Sequence, residues 1–191
     1  MMSHSAPPAA RAAAQIDFLL VPGLRDSDSG HWQSEWQRQN PHWKRIVQRD
    51  WSQPDLDGWC DAISRQLQPG DARALLIGHS FGALAAIGWA RRYPERVAGL
   101  VLVAPAEPLR FLVDDRILPQ TLPCPSLLFA SRNDPLLPFT RASFWASAWG
   151  SSLTDIGEAG HINTEAGFGA WPWGLARVMD FADSLQSAAE E

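Results

Sequence analysis

Leu75-Leu76-Ile77-Gly78-His79-Ser80-Phe81-Gly82-Ala83-Leu84 is the stretch on which the reading of this chain turns. An apolar run of strand type enters it, and a run of good helix formers, Ala83 to Arg92, leaves it. Between them stands Gly-x-Ser-x-Gly, as Gly78, Ser80 and Gly82. That spacing is the signature of a nucleophile elbow, a sharp strand-to-helix turn with the serine at its tip. The glycines suit it because side chains there would collide with the neighbouring strand and helix. Such a turn also aims free helix N–H groups at an oxyanion formed beside the serine. A Gly-rich turn with a capping serine would share the pattern, so the rest of the chain has to supply a base and an acid.

Working outward, Ile16 to Val21 reads as a buried strand stopped by Pro22-Gly23. Ser29 is the expected cap of a helix from His31 to about Gln39, with Trp32 and Trp36 on one face. Arg45 to Gln48 reads as a short strand. Pro54-Asp55 opens a second helix whose Leu56, Trp59, Cys60, Ile63 and Leu67 keep helical period. Arg73 to Ile77 is the central strand and Ser80 to Arg92 the helix after it. Val97 to Val103 is the next strand. The connection from Glu107 to Pro125 carries four prolines and reads as loop with one helical turn at most. Ser126 to Ala130 is a strand. Pro138 to Trp149 is a helix with Phe144, Ala148 and Trp149 expected inward. Ser152 to Ile156 is the last strand. Pro172 opens a final helix with an apolar stripe of Leu175, Val178, Met179, Ala182 and Leu185.

Strands alternating with helices require a largely parallel sheet of about six strands, covered on both faces. In such sheets the functional crevice lies beyond the C-terminal strand ends. Residues 1–15, rich in Ala and Pro, are expected to be a disordered leader. Residues 16–187 form a single domain and 188–191 a frayed tail.

The chain has 191 residues and a formal net charge of −5, which argues against nucleic acid or an anionic membrane as partner. No apolar run is long enough to span a bilayer. Two cysteines and no Cys/His cluster fit a reduced, cytoplasmic setting without a metal. The ten tryptophans are expected mostly in core and groove packing.

A serine hydroxyl needs a base, and the base needs an orienting acid. In elbow hydrolases the chain order is serine, acid, histidine. His161 is the one histidine after Ser80, and it falls in the loop after the last strand. Asp134, in Arg132-Asn133-Asp134-Pro135, follows the strand ending at Ala130 and is the expected acid. An Asx turn before the proline would use the same carboxylate without displacing it from that role. Glu107, Asp114, Asp115 and Asp155 are the competitors. The oxyanion donors are expected to be the N–H groups of Phe81 and of Leu24, in the loop after the first strand.

These residues together resemble the small serine hydrolases typified by retinoblastoma-binding protein nine and the bacterial YdeN-like proteins. The resemblance runs from about Ile16 to the last helix. It rests on Val21-Pro22-Gly23, His31-Trp32-Gln33 with Trp36, and Asp50-Trp51 with Pro54 and Trp59. Further matches are Gly78-His79-Ser80-Phe81-Gly82, Ser131-Arg132-Asn133-Asp134-Pro135, and Gly160-His161-Ile162-Asn163 with Trp171-Pro172. It implies a compact three-layer α/β-hydrolase fold without a large lid, and a Ser80-Asp134-His161 triad. The resemblance supplies no substrate; the residues themselves point to cleavage of small esters, or of amides or thioesters, through an acyl-serine, with no cofactor. A protein-interaction module on a hydrolase scaffold and an acyltransferase remain the alternatives. Catalytic roles for His31, Trp32 and Asn163 do not follow from the residues alone; Asn163 is expected to fix its loop.

Overall fold

The computed structural model of the chain describes residues 15–68 and 70–190. The leader expected over residues 1–15 falls outside the described residues except for its last position, as does residue 191 of the expected tail. Six strands pair in one sheet: β1 (Asp17–Val21), β2 (Lys44–Arg45), β3 (Ala74–His79), β4 (Val97–Val103), β5 (Ser126–Ala130) and β6 (Ser152–Asp155). Their order is β2-β1-β3-β4-β5-β6, and every neighbouring pair is parallel. Five helices cover the sheet: α1 (Trp32–Gln39), α2 (Leu56–Gln66), α3 (Phe81–Arg92), α4 (Phe139–Trp149) and α5 (Pro172–Glu190).

Strands β3, β4 and β5 are buried along their whole length, as parallel strands covered on both faces must be. Their side chains alternate between two cores. Leu76, Leu100, Leu102 and Leu128 meet α2, α3 and α4 on one face. Leu75, Ile77, Val101, Val103, Leu127 and Phe129 meet α1 and α5 on the other. This is the three-layer α/β-hydrolase architecture. The connection between β4 and β5 holds one short 3₁₀ turn, Pro108–Phe111, and no helical hairpin. Its start is fixed by Glu107, which accepts from Arg141 Nε at 2.8 Å and Nη2 at 2.9 Å.

Local departures from the sequence reading have identifiable causes. His31, not Ser29, caps α1: its Nδ1 accepts the Gln33 N–H at 3.2 Å. β2 shrinks to two residues because only Leu19 and Leu20 pair with it. β3 runs on to His79, paired with Val103. Phe144 points outward, where the Arg141 guanidinium lies 4.8 Å from its ring centroid; Trp145 and Ala146 take the inner face instead. Met179 is also exposed, so the buried stripe of α5 centres on Val178 and Ala182.

Helix α3 is buried on nearly every side, and its glycines differ sharply in what surrounds them. A Cβ on Gly82 would stand 2.0 Å from the Val21 carbonyl oxygen and 2.5 Å from that of Pro22. A Cβ on Gly88 would meet nothing closer than Cys60 Sγ at 3.6 Å. Gly82→Ala is therefore expected to lower Tm by about 5 °C or more, since backbone must move to admit the methyl. Gly88→Ala, which gains helix propensity at ordinary contact distance, is expected to raise Tm by roughly 2–4 °C. Thermal melts of the two variants check both signs.

Candidate active site

The C-terminal ends of β1, β3, β5 and β6 deliver the candidate residues to one sheet edge. Ser80 follows β3 with φ 55° and ψ −122°, a conformation a non-glycine residue adopts at a cost of about 1–3 kcal/mol. The turn is held from β4: the Ser80 N–H donates to the Val103 carbonyl at 3.1 Å, and the Ala106 N–H donates to the Ser80 carbonyl at 3.2 Å.

Asp134 and His161 meet. His161 Nδ1 lies 3.0 Å from Oδ1 and 2.9 Å from Oδ2 of Asp134, and both residues are buried. A carboxylate only accepts, so Nδ1 carries the proton and Nε2 is left with a lone pair. Asp134 Oδ1 also accepts the Leu136 N–H at 2.8 Å, so the Asx turn before Pro135 fixes the same carboxylate. Two of the competing acids are engaged elsewhere, Glu107 with Arg141 and Asp155 with Arg132; Asp114 and Asp115 are exposed.

Ser80 and His161 line one cavity of about 530 Å³, together with Leu24, His31 and Phe111. His161 Nε2 has no hydrogen-bond partner among the described residues, so Ser80 Oγ makes no hydrogen bond to it. Such contacts are often long before substrate binds. On the other side of Ser80, the Arg25 N–H is taken by the Trp51 carbonyl at 2.9 Å. The Leu24 N–H donates to no group among the described residues, and Phe81 opens α3, where a helix N–H has no intrahelical acceptor. Of the bulky residues near these strand ends, Leu24 and Phe111 line the cavity, whereas Trp32 and Phe81 are buried.

The loop that carries His161 is held by several side chains, among them Asn163, the one expected from the sequence to fix it. Trp32 Nε1 donates to the Ile162 carbonyl at 2.9 Å. His79 Nε2 donates to the His161 carbonyl at 2.9 Å. Ser131 Oγ accepts the Ala159 N–H at 2.9 Å, and Asn133 Oδ1 accepts the Gly160 N–H at 2.7 Å. Asn163 Oδ1 accepts the Ala166 N–H at 3.0 Å and closes the next turn. The signal available in the sequence was polar residues beside the candidate acid and nucleophile, in Ser131-Arg132-Asn133 and Gly78-His79-Ser80.

Cys60 and Cys124 are both unpaired, and burial raises each thiol to about 11, so neither is an activated nucleophile. Among the described residues no group of three or more His, Cys, Asp or Glu is placed to hold a metal, and no helix is long and apolar enough to cross a membrane.

The strand order, the elbow and the loop-borne imidazole define an α/β hydrolase. Residues 18–180 match the family described as Serine hydrolase, and the chain belongs to that family. It is 58% identical to a YdeN-like hydrolase of Pectobacterium atrosepticum of known crystal structure, with a TM-score of 0.87 over 90% of this chain and 92% of that one. The ydeN gene product of B. subtilis shares the fold at 20% identity and TM-score 0.67, over 91% of this chain and 100% of that one. A stretch of 50 residues is 52% identical to pimeloyl-[acyl-carrier protein] methyl ester esterase of Shewanella woodyi. That match takes in 26% of this chain and 18% of the esterase.

Burial decides the charge of two further histidines at the site. It pulls His31 from 6.5 down to about 4 and pushes His79 well below 6.5; a charge on His161 acts on both in the same direction. In the unfolded chain both rings protonate near 6.5, whereas folded they stay neutral. The unfolded state then binds more protons as pH falls from about 6.5 toward 4, so stability is lost through that window and not above it. His31 alone accounts for about 3 kcal/mol. Thermal melts should show a Tm flat above about pH 6.5 with respect to these rings and falling below it, with a shallower fall in His31→Asn. A Tm independent of pH through that window, in both proteins, would contradict the buried neutral rings.

Proposed function

We propose that the chain is an esterase-type serine hydrolase that works through an acyl-serine intermediate on small ester substrates, with Ser80 as nucleophile, His161 as base and Asp134 as its orienter. One observation carries the reading: an imidazole fixed at Nδ1 by a buried carboxylate shares a cavity with a serine held in strained elbow geometry. Ser80 Oγ bonds to the ester carbon while His161 Nε2 takes its proton. The carbonyl electron pair moves onto oxygen, toward the N–H groups of Leu24 and Phe81. Collapse expels the alkoxide, which recovers the proton from His161. Water repeats the cycle on the acyl-enzyme. Asp134 keeps the tautomer and offsets the imidazolium charge. The ester class draws support from the name of the methyl ester esterase that shares the 50-residue stretch.

The decisive experiment is covalent labelling with a fluorophosphonate. Wild type is expected to label and Ser80→Ala to stay folded and unlabelled. Asp134→Asn is expected to lower kcat by up to about 10⁴, through loss of the tautomer. Labelling of Ser80→Ala equal to wild type would reject the nucleophile. No labelling of either protein would favour the binding-scaffold reading.

Site size sets the acyl preference. The cavity is walled by Leu24, Phe111 and Leu136, and the β4–β5 connection contributes one 3₁₀ turn where a lid would be inserted. Phe111 is itself fixed edge-on against Phe81 at 5.1 Å between centroids. A p-nitrophenyl ester series is expected to show kcat/KM peaking between acetate and butyrate. A rise toward long chains with activation at an oil interface would refute this and make residues 104–125 a lid.

A further inference from the structure

His31 does two things with its two ring nitrogens, and helix capping uses only one. Nδ1 accepts the Gln33 N–H at 3.2 Å, so it is unprotonated and the ring proton sits on Nε2. That Nε2–H is buried and has no hydrogen-bond partner among the described residues. The residue is 4% exposed, yet it lines the same cavity as Ser80, Leu24 and His161. Leaving a buried donor unpaired is costly, and such a group in a native structure calls for a partner or a catalytic role.

The cavity holds a complementary pair. His31 offers a donor, and His161 Nε2 is an acceptor that also lacks a partner. The His79 ring lies between them, 4.8 Å from the His31 centroid and 5.0 Å from that of His161, so the three rings form one row beside Ser80. His31 also follows directly on the loop that presents the Leu24 N–H.

We propose that His31 is a hydrogen-bond donor to the substrate, its Nε2–H binding the ester oxygen that gains negative charge as Ser80 attacks. It supplements the two backbone donors and takes no part in proton transfer. Its burial keeps the ring neutral, so it donates without placing a second cation beside the imidazolium of His161. The site accordingly favours substrates whose reacting group presents an acceptor oxygen. This rests on the Ser80-Asp134-His161 reading.

Two substitutions separate the nitrogens. In His31→Asn, Oδ1 replaces Nδ1 as cap acceptor, and nothing reaches the place of Nε2. In His31→Gln, the amide N–H reaches toward the place of Nε2 while the cap is lost. His31→Asn is expected to keep the wild-type Tm at neutral pH and to lose about 10²-fold in kcat on p-nitrophenyl acetate, with KM within a few-fold. His31→Gln is expected to lose Tm by a few degrees but to exceed His31→Asn in kcat by about tenfold. Wild-type kcat in His31→Asn, with wild type labelled by the fluorophosphonate, would overturn the donor and leave the triad standing. Loss of activity in step with loss of Tm in both variants would reduce His31 to a cap and overturn it equally. A wild type that neither labels nor turns over would overturn both readings.

Discussion

The end of β1 lies directly on the first turn of α3, and the rest of the site depends on that approach. A Cβ on Gly82 would stand 2.0 Å from the Val21 carbonyl oxygen, and one on Gly78 2.6 Å from Ala83 Cα. A Cβ on Gly23 would reach the Ser80 Cβ at 3.0 Å and the Phe81 nitrogen at 3.3 Å. Three backbone segments thus meet where no side chain fits. The loop after β1 and the start of α3 are thereby held against each other beside Ser80. Elbow strain of about 1–3 kcal/mol is tolerable because the strands behind it are fully buried and its own N–H and C=O are bonded to the β4 end.

The opposite side of the cavity is built by a different principle. The loop after β6 passes through left-handed backbone at Gly157, Gly160 and Ile162, so it cannot join a ladder. Its backbone groups are satisfied by side chains from α1, β3 and the β5 loop: Trp32, His79, Ser131 and Asn133. Each such bond adds only about 0.5–1.5 kcal/mol. Their value is geometric, because four bonds from three elements leave the His161 ring little freedom before Asp134 fixes its tautomer.

The division between local and distant interactions explains what could be read from the residues. The elbow, the alternation of strands and helices, and the final histidine are legible because each is written in a short window or in chain order. Asp134 is legible because Asp-Pro marks a turn at a strand end. The tether from Trp32 to Ile162 spans 130 residues and leaves no local trace. Helix period alone did not distinguish Phe144 from Trp145: Trp145 packs in the core, stacked on Trp149, and Phe144 stays exposed. The α1 cap eluded the usual preference for Ser, Thr, Asp and Asn because an imidazole acceptor fills the same place.

His31, His79 and His161 are chemically one side chain in one buried row, yet the structure gives them different duties. The difference lies in the partner each ring meets. His161 Nδ1 is bonded directly to a carboxylate, that of Asp134. His79 faces a carbonyl, which needs a donor but cannot offset a cation. His31 faces a backbone N–H, which needs a lone pair and would repel a second ring proton. Burial disfavours charge on His31 and His79, and a charge on His161 disfavours it further. Three identical rings in contact are thereby told apart by their partners: a carboxylate for His161, a carbonyl for His79 and a backbone N–H for His31.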